Sequence, residues 1–149
     1  MSNERIRVLV INGPNLNLLG GREPAIYGAE TLADVEDRVR RRAAELDCDV
    51  EFRQSNSEGA IVGWLQEAGE RFEAVILNPG AFTHYSHAIR DAVSAGALPV
   101  YEIHISNVHA REEFRHRSVI SAVAAGIVVG MGTIGYELAL EAAVRSSRS

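Results

Sequence analysis

An α/β architecture with helices on both faces of a parallel five-stranded sheet is what the sequence predicts, on three observations. Short runs rich in Val, Ile and Leu alternate with amphipathic helical patterns along the chain. Such alternation implies parallel pairing, right-handed crossovers and a three-layer sandwich. Five apolar runs favour the flavodoxin-like strand order 2-1-3-4-5. A length of 149 residues fits one domain, 1–149, around one sizeable core.

Arg7 to Asn12 reads as the first strand, a run of apolar β-formers. A sixteen-residue connection, Gly13 to Gly28, follows it. Loops of that length are usually functional or disordered. Thr31 is a good N-cap with Asp34 three residues on, and Leu32, Val35, Val39, Ala43 and Leu46 mark one face of the helix it opens. Asp49 to Gln54 alternates as a second strand. Ser57 caps a second helix, with Glu58 in its first turn and Ile61, Leu65 and Ala68 facing inward. Ala74 to Leu77 is a short buried strand ending at Asn78-Pro79-Gly80. A third helix is expected over Tyr85 to Ser94, a fourth strand over Leu98 to Ile103, and a short helical segment around Glu112 to His116. Val123 to Val129 reads as the fifth strand and Thr133 to Val144 as the closing helix, with Ser146 to Ser149 as a loose tail.

Apolar residues make up 46% and charged residues 23%, an ordinary globular profile. A net charge of −5 gives no global attraction to nucleic acid or to anionic membranes. The Arg38, Arg40, Arg41, Arg42 cluster sits among six acids in residues 30–47 and reads as a solvated helix face. Cys48 is the single cysteine, so no internal disulfide forms, which suits a reducing compartment. Met1 to Glu4 shows no signal-peptide pattern and the longest apolar run is far short of a membrane span. The cytoplasm is therefore the expected location. All 15 basic residues are arginine, which excludes any mechanism built on a lysine imine.

In doubly wound folds ligands sit beyond the carboxyl ends of the strands. Asn12, Asn78 and His104 belong to that edge, and the long first loop leaves from it. Within that loop Arg22 and Tyr27 lie five positions apart. A free tyrosine has a pKa near 10, and about 4 kcal/mol from a fixed cation makes it a phenolate at neutral pH. The plain structural alternative has Arg22 paired with Glu23 and Tyr27 packed by its ring. Glu102 and His104, two apart, share one side of an extended segment. A carboxylate there fixes the imidazole tautomer and stabilises the imidazolium, a ready proton donor. The Ile105 backbone and the Ser106 hydroxyl follow as anchors for a carboxylate. Arg111 and Arg115 are four apart, each able to grip a carboxylate or to pair with surface acids. His84, His87 and Asp91, at i, i+3 and i+7, have the look of metal ligands but converge poorly from one rod. Gly130-Met131-Gly132-Thr133-Ile134-Gly135 matches a dinucleotide fingerprint, yet only fourteen residues remain for the second strand and acid it needs. Those glycines are read as turn and helix–sheet packing positions.

Four segments together, INGPNLNLLGGREPAIYG, NPGAFTHYSHAIRDA, PVYEIHISNVHAREEFRHRS and AAGIVVGMGTIGY, closely resemble the type II 3-dehydroquinate dehydratases over nearly the full chain. The resemblance implies cofactor-independent anti elimination of water from 3-dehydroquinate through an enolate, giving 3-dehydroshikimate. It implies that Tyr27, ionised beside Arg22, accepts the proton and that Arg22 also stabilises the transition state. His104, oriented by Glu102, would be the proton donor, and Asn15 would order water near the enolate. Substrate contacts fall on Asn78, His84, Ile105, Ser106 and Arg115, with Asp91 reaching in from a neighbouring subunit. The family resemblance also implies a homododecamer, a tetramer of trimers, with the first loop as a lid and neither metal nor cofactor. Gly21, Tyr85 and His87 sit where the family often varies. A non-catalytic flavodoxin-like binding module and a metal-dependent hydrolase on His84, His87 and Asp91 are the rival readings.

Overall fold

The computed structural model describes residues 5–149 apart from Arg22, with the backbone but not the side chains of Pro24 and Tyr27. Its centre is a parallel sheet of five strands, β1 (Ile6–Asn12), β2 (Cys48–Gln54), β3 (Ala74–Asn78), β4 (Val100–His104) and β5 (Gly126–Val129), in the order β2-β1-β3-β4-β5. That is the flavodoxin-like order expected from the sequence. The helices are α1 (Pro24–Tyr27), α2 (Leu32–Glu45), α3 (Glu58–Glu67), α4 (His87–Ala95) and α5 (Ile134–Arg148).

The alternation of side chains along β1 divides the core into two layers. Val8 and Val10 face α2 and α5, packing with Val35, Val39, Tyr136 and Leu140. Leu9 and Ile11 point the other way, onto Ile61 and Leu65 of α3 and Ile89 and Val93 of α4. A strand buried on both faces must be apolar throughout, which is why β1 reads as a continuous run. Thr31 and Asp34 form a reciprocal capping box at the start of α2. Ser57 caps α3 through the Ala60 N–H.

Several boundaries differ from the sequence reading. The segment Gly80–His84 is a 3₁₀ turn, and α4 starts only after Ser86, whose hydroxyl accepts the Ile89 N–H. Strand β4 extends to His104, placing that residue on the sheet edge. Strand β5 begins at Gly126, and Ser121–Val123 forms a separate 3₁₀ turn. Helix α5 continues to Arg148, whose guanidinium donates to the Leu46 and Asp47 carbonyls. The supposed loose tail is thus helical through that residue. The glycine-rich turn before α5 has positive φ at Gly130 and Gly132, and a Cβ on Gly135 would sit 3.4 Å from Val128. These are turn and packing positions, as read from the sequence.

The first loop is tied at its downstream foot. Arg38 of α2 bonds Glu30 and also donates to Glu137 at 3.1 Å and to Thr133 at 3.0 Å. Thr133 in turn donates to Glu30. These two partners, Thr133 first, hold the Glu30 carboxyl below its ordinary value. The middle of the loop folds back onto that foot, since a Cβ on Gly20 would lie 3.1 Å from the carbonyls of Ala29 and Glu30.

Candidate active site

The carboxyl ends of β1, β3 and β4 meet at one edge, with Asn12 paired to Asn78 in the register of β1 and β3. Gly13 makes the approach tight: its N–H donates to the Asn78 carbonyl at 2.8 Å, and a Cβ there would lie 2.5 Å from the Pro79 oxygen. Only glycine fits. Beyond this edge opens a cleft of about 280 Å³. It is lined by Asn15, Asn78, His84, His104, Ile105, Ser106 and Arg115, seven of the residues singled out from sequence.

Glu102 and His104 form the chemical centre. Glu102 is fully buried, and its Oε2 lies 2.5 Å from His104 Nε2. A carboxylate only accepts, so Nε2 carries the proton and Nδ1 is the nitrogen left to exchange a proton with a ligand. Oε2 also accepts from Thr83 at 3.0 Å and Ser118 at 2.8 Å, while Oε1 accepts from Ser121 at 2.7 Å. Burial opposes ionisation of this carboxyl, but the bonds from His104, Ser121 and Ser118 prevail and hold it below the ordinary carboxylate value. A buried carboxylate beside a histidine at a strand end is an arrangement for delivering a proton into the cleft.

The cleft's other walls are equally polar. His84 Nδ1 lies 2.8 Å from the Arg117 carbonyl, which fixes the tautomer and leaves Nε2 as an acceptor. Burial lowers the His84 pKa, so the ring is neutral at pH 7. Phe114 stands edge-on to His84 at 5.8 Å and carries the Arg115 guanidinium over its face at 4.6 Å. Arg111, which the sequence offered beside Arg115, also lines the cleft, donating to Ser106 Oγ at 3.2 Å with Glu23 of the first loop 3.7 Å away. Asn15 sits in the left-handed region at φ 68°, its N–H donating to Asn56.

Asp91 is exposed on α4 and does not line this cleft. His84 and His87 fall on separate elements, so the His84, His87, Asp91 set does not share one rod. Among the described residues, no group of three or more His, Cys, Asp or Glu side chains is placed to hold a metal ion. Arg22 and the Tyr27 side chain, and with them the expected base pairing, lie outside the described residues.

Sequence reasoning missed the hydroxyls around Glu102 and Tyr136, whose phenol oxygen accepts from Asn78 Nδ2 and donates to Asn12 Oδ1. Thr83, Ser118 and Ser121 stand sixteen to nineteen positions from Glu102, at no spacing that marks them. Tyr136 carried a signal, a phenol on the otherwise apolar buried face of α5 shared with Ala139, Leu140 and Ala143. Among the described residues, no helix is long and apolar enough to cross a membrane.

Comparison with known proteins gives one answer. A 3-dehydroquinate dehydratase of Desulforudis audaxviator is 60% identical over 139 residues, covering 93% of each chain. The 3-dehydroquinate dehydratase 1 of Agrobacterium fabrum is 56% identical over 91% of this chain and 93% of its own. The crystal structure of type II dehydroquinase from Propionibacterium acnes superposes with a TM-score of 0.90 at 46% identity, over 95% of this chain and 99% of that one. The family profile described as Dehydroquinase class II matches residues 6–144, and the chain belongs to that family.

Proposed function

We propose that this chain is a hydro-lyase, a type II 3-dehydroquinate dehydratase that removes water from 3-dehydroquinate by anti elimination through an enolate and needs no cofactor. The observation that carries the reading is the Glu102–His104 pair at 2.5 Å on the rim of a polar cleft, in a chain of this family. Tyr27, ionised beside Arg22, takes a proton from C2, and the C–H electron pair moves into the adjacent ketone as an enolate. Arg22 stabilises that charge and Asn15 orders water near it. The ketone re-forms as His104, oriented by Glu102, protonates the C1 hydroxyl, which leaves as water to give the conjugated enone 3-dehydroshikimate. A proton beside a carbonyl is already acidified, so a modest base suffices.

Asn78, His84, Ile105, Ser106 and Arg115 are the proposed substrate contacts, and each lines the cleft. Asp91, exposed and away from its own cleft, suits a neighbouring subunit's site in a homododecamer, a tetramer of trimers. Ile127 on the edge strand β5, and Met131, Ile134 and Leu138 in and before α5, expose apolar surface that assembly would cover. The proposed setting is the cytoplasm, in aromatic biosynthesis by the shikimate pathway or in quinate breakdown.

The test is an ultraviolet assay of enone formation from 3-dehydroquinate. Tyr27→Phe should abolish turnover while leaving fold and assembly intact, and borohydride treatment should leave the lysine-free wild type fully active. A Tyr27→Phe protein that works near the wild-type rate refutes the base assignment.

A further inference from the structure

We propose that the buried side-chain row Asn12, Tyr136 and Asn78 is a positioning device that turns the Asn78 amide so that it offers an N–H, not its carbonyl oxygen, to an oxygen of the ligand in the cleft. The inference deepens the dehydratase reading and rests on it for the ligand's identity.

Two backbone groups fix the direction of every proton in the row. At one end the Arg53 carbonyl can only accept, so the Asn12 atom 3.1 Å from it is the amide nitrogen. Asn12 Oδ1 then faces Tyr136, and the phenol must donate to it, at 2.6 Å. With its single proton used, the Tyr136 oxygen is an acceptor towards Asn78, whose Nδ2 donates at 3.0 Å. At the far end the Gly80 N–H can only donate, and Asn78 Oδ1 receives it at 3.2 Å. The two ends are set independently and agree. Asn78 Nδ2 carries two protons, of which Tyr136 takes one, and the second is left for the cleft that Asn78 lines.

Burial makes the arrangement rigid. Asn12 and Tyr136 are fully buried and Asn78 is 3% exposed, so water does not replace a missing partner. Burial also pushes the Tyr136 hydroxyl's pKa up, which keeps it a protonated donor at any working pH. Asn12 and Asn78 are neighbours in the β1–β3 register, and the glycine-rich turn lets the first turn of α5 press Tyr136 against both. The ligand group this selects is an acceptor oxygen, such as a hydroxyl or carboxylate of a small polyhydroxylated acid.

The experiment compares wild type, Tyr136→Phe, Asn78→Ala and the double variant in turnover of 3-dehydroquinate and in nitrogen-15 spectra of the side-chain amides. Tyr136→Phe should raise KM about tenfold, the value of one well-aimed hydrogen bond, with a smaller change in kcat. In the Asn78→Ala background the same substitution should change KM by less than about twofold, because its effect runs through the missing amide. One Asn78 Nδ2 proton should exchange slowly in wild type and rapidly in Tyr136→Phe. An unchanged KM, or an undiminished effect in the Asn78→Ala background, overturns the proposal. Should Tyr136→Phe fail to fold, Asn12→Ala frees the phenol's proton and must show the same dependence on Asn78. Wild type that leaves 3-dehydroquinate untouched overturns the dehydratase reading instead, and the amide exchange then decides the positioning claim by itself.

Discussion

Removing the Ser121 hydroxyl probes how the protein keeps a charged carboxylate in its interior. Of the bonds to Glu102, three converge on Oε2 and the one from Ser121 supports Oε1, so Ser121→Ala leaves Oε1 without its hydroxyl donor. A hydrogen bond to a charged group contributes about 1.5–3 kcal/mol. Its loss should raise the folded-state pKa of Glu102. The Glu102 carboxyl is held below its unfolded value near 4.5, so its stabilisation is complete above that pH and drains away as pH falls through the folded value. Ser121→Ala should therefore destabilise the protein by about 2 kcal/mol at pH 7, lowering Tm by about 4–8 °C. The gap between the two proteins should shrink as pH falls through the folded-state value of each carboxyl, which for the wild type lies below 4.5. Urea unfolding followed by circular dichroism from pH 7 down to the acid limit of the folded state measures both, and Ser121→Thr should restore the wild-type curve. A gap that stays constant over that whole range, or none at pH 7, would refute the reasoning.

Other substitutions bear on the rest of the site. His104→Ala should cut kcat by about 10²–10⁴, the usual contribution of one general acid, while KM moves little. Loss of substrate binding in that variant, seen by calorimetry, would place His104 in binding instead. Gly13→Ala must push the β1 terminus off the Pro79 carbonyl, 2.5 Å from the added methyl, and should cost about 1–3 kcal/mol of stability together with most of the activity. Thermal melts and the enone assay read both effects, and unaltered activity would mean that the loop after β1 does not set the site.

The fold was largely legible in the sequence because its signals are local. Apolar runs such as Leu9–Ile11 and caps such as Thr31 and Ser57 announce themselves within a few residues. Boundaries were misjudged where a side chain works elsewhere. Val123, expected to open β5, lies instead in the turn begun by Ser121, whose hydroxyl serves Glu102, and Ser86 caps α4 and delays it. Glu102 and His104 could be found because two residues on one strand carry their own spacing. The hydroxyls of Thr83, Ser118 and Ser121 and the Tyr136 phenol could not, since they meet their partners only through the folded topology.

The closure of Gly20 onto the downstream foot of the first loop has an architectural consequence. Gly20 rests against Ala29 and Glu30, and Arg38 moors Glu30 to the start of α5, so the span between behaves as a cassette plugged into a fixed socket. Doubling such a span costs only about 0.6 kcal/mol in closure entropy. Its length can therefore change at little cost to the sheet, so long as Arg22 and Tyr27 keep their proposed places at the entrance to the reaction chamber.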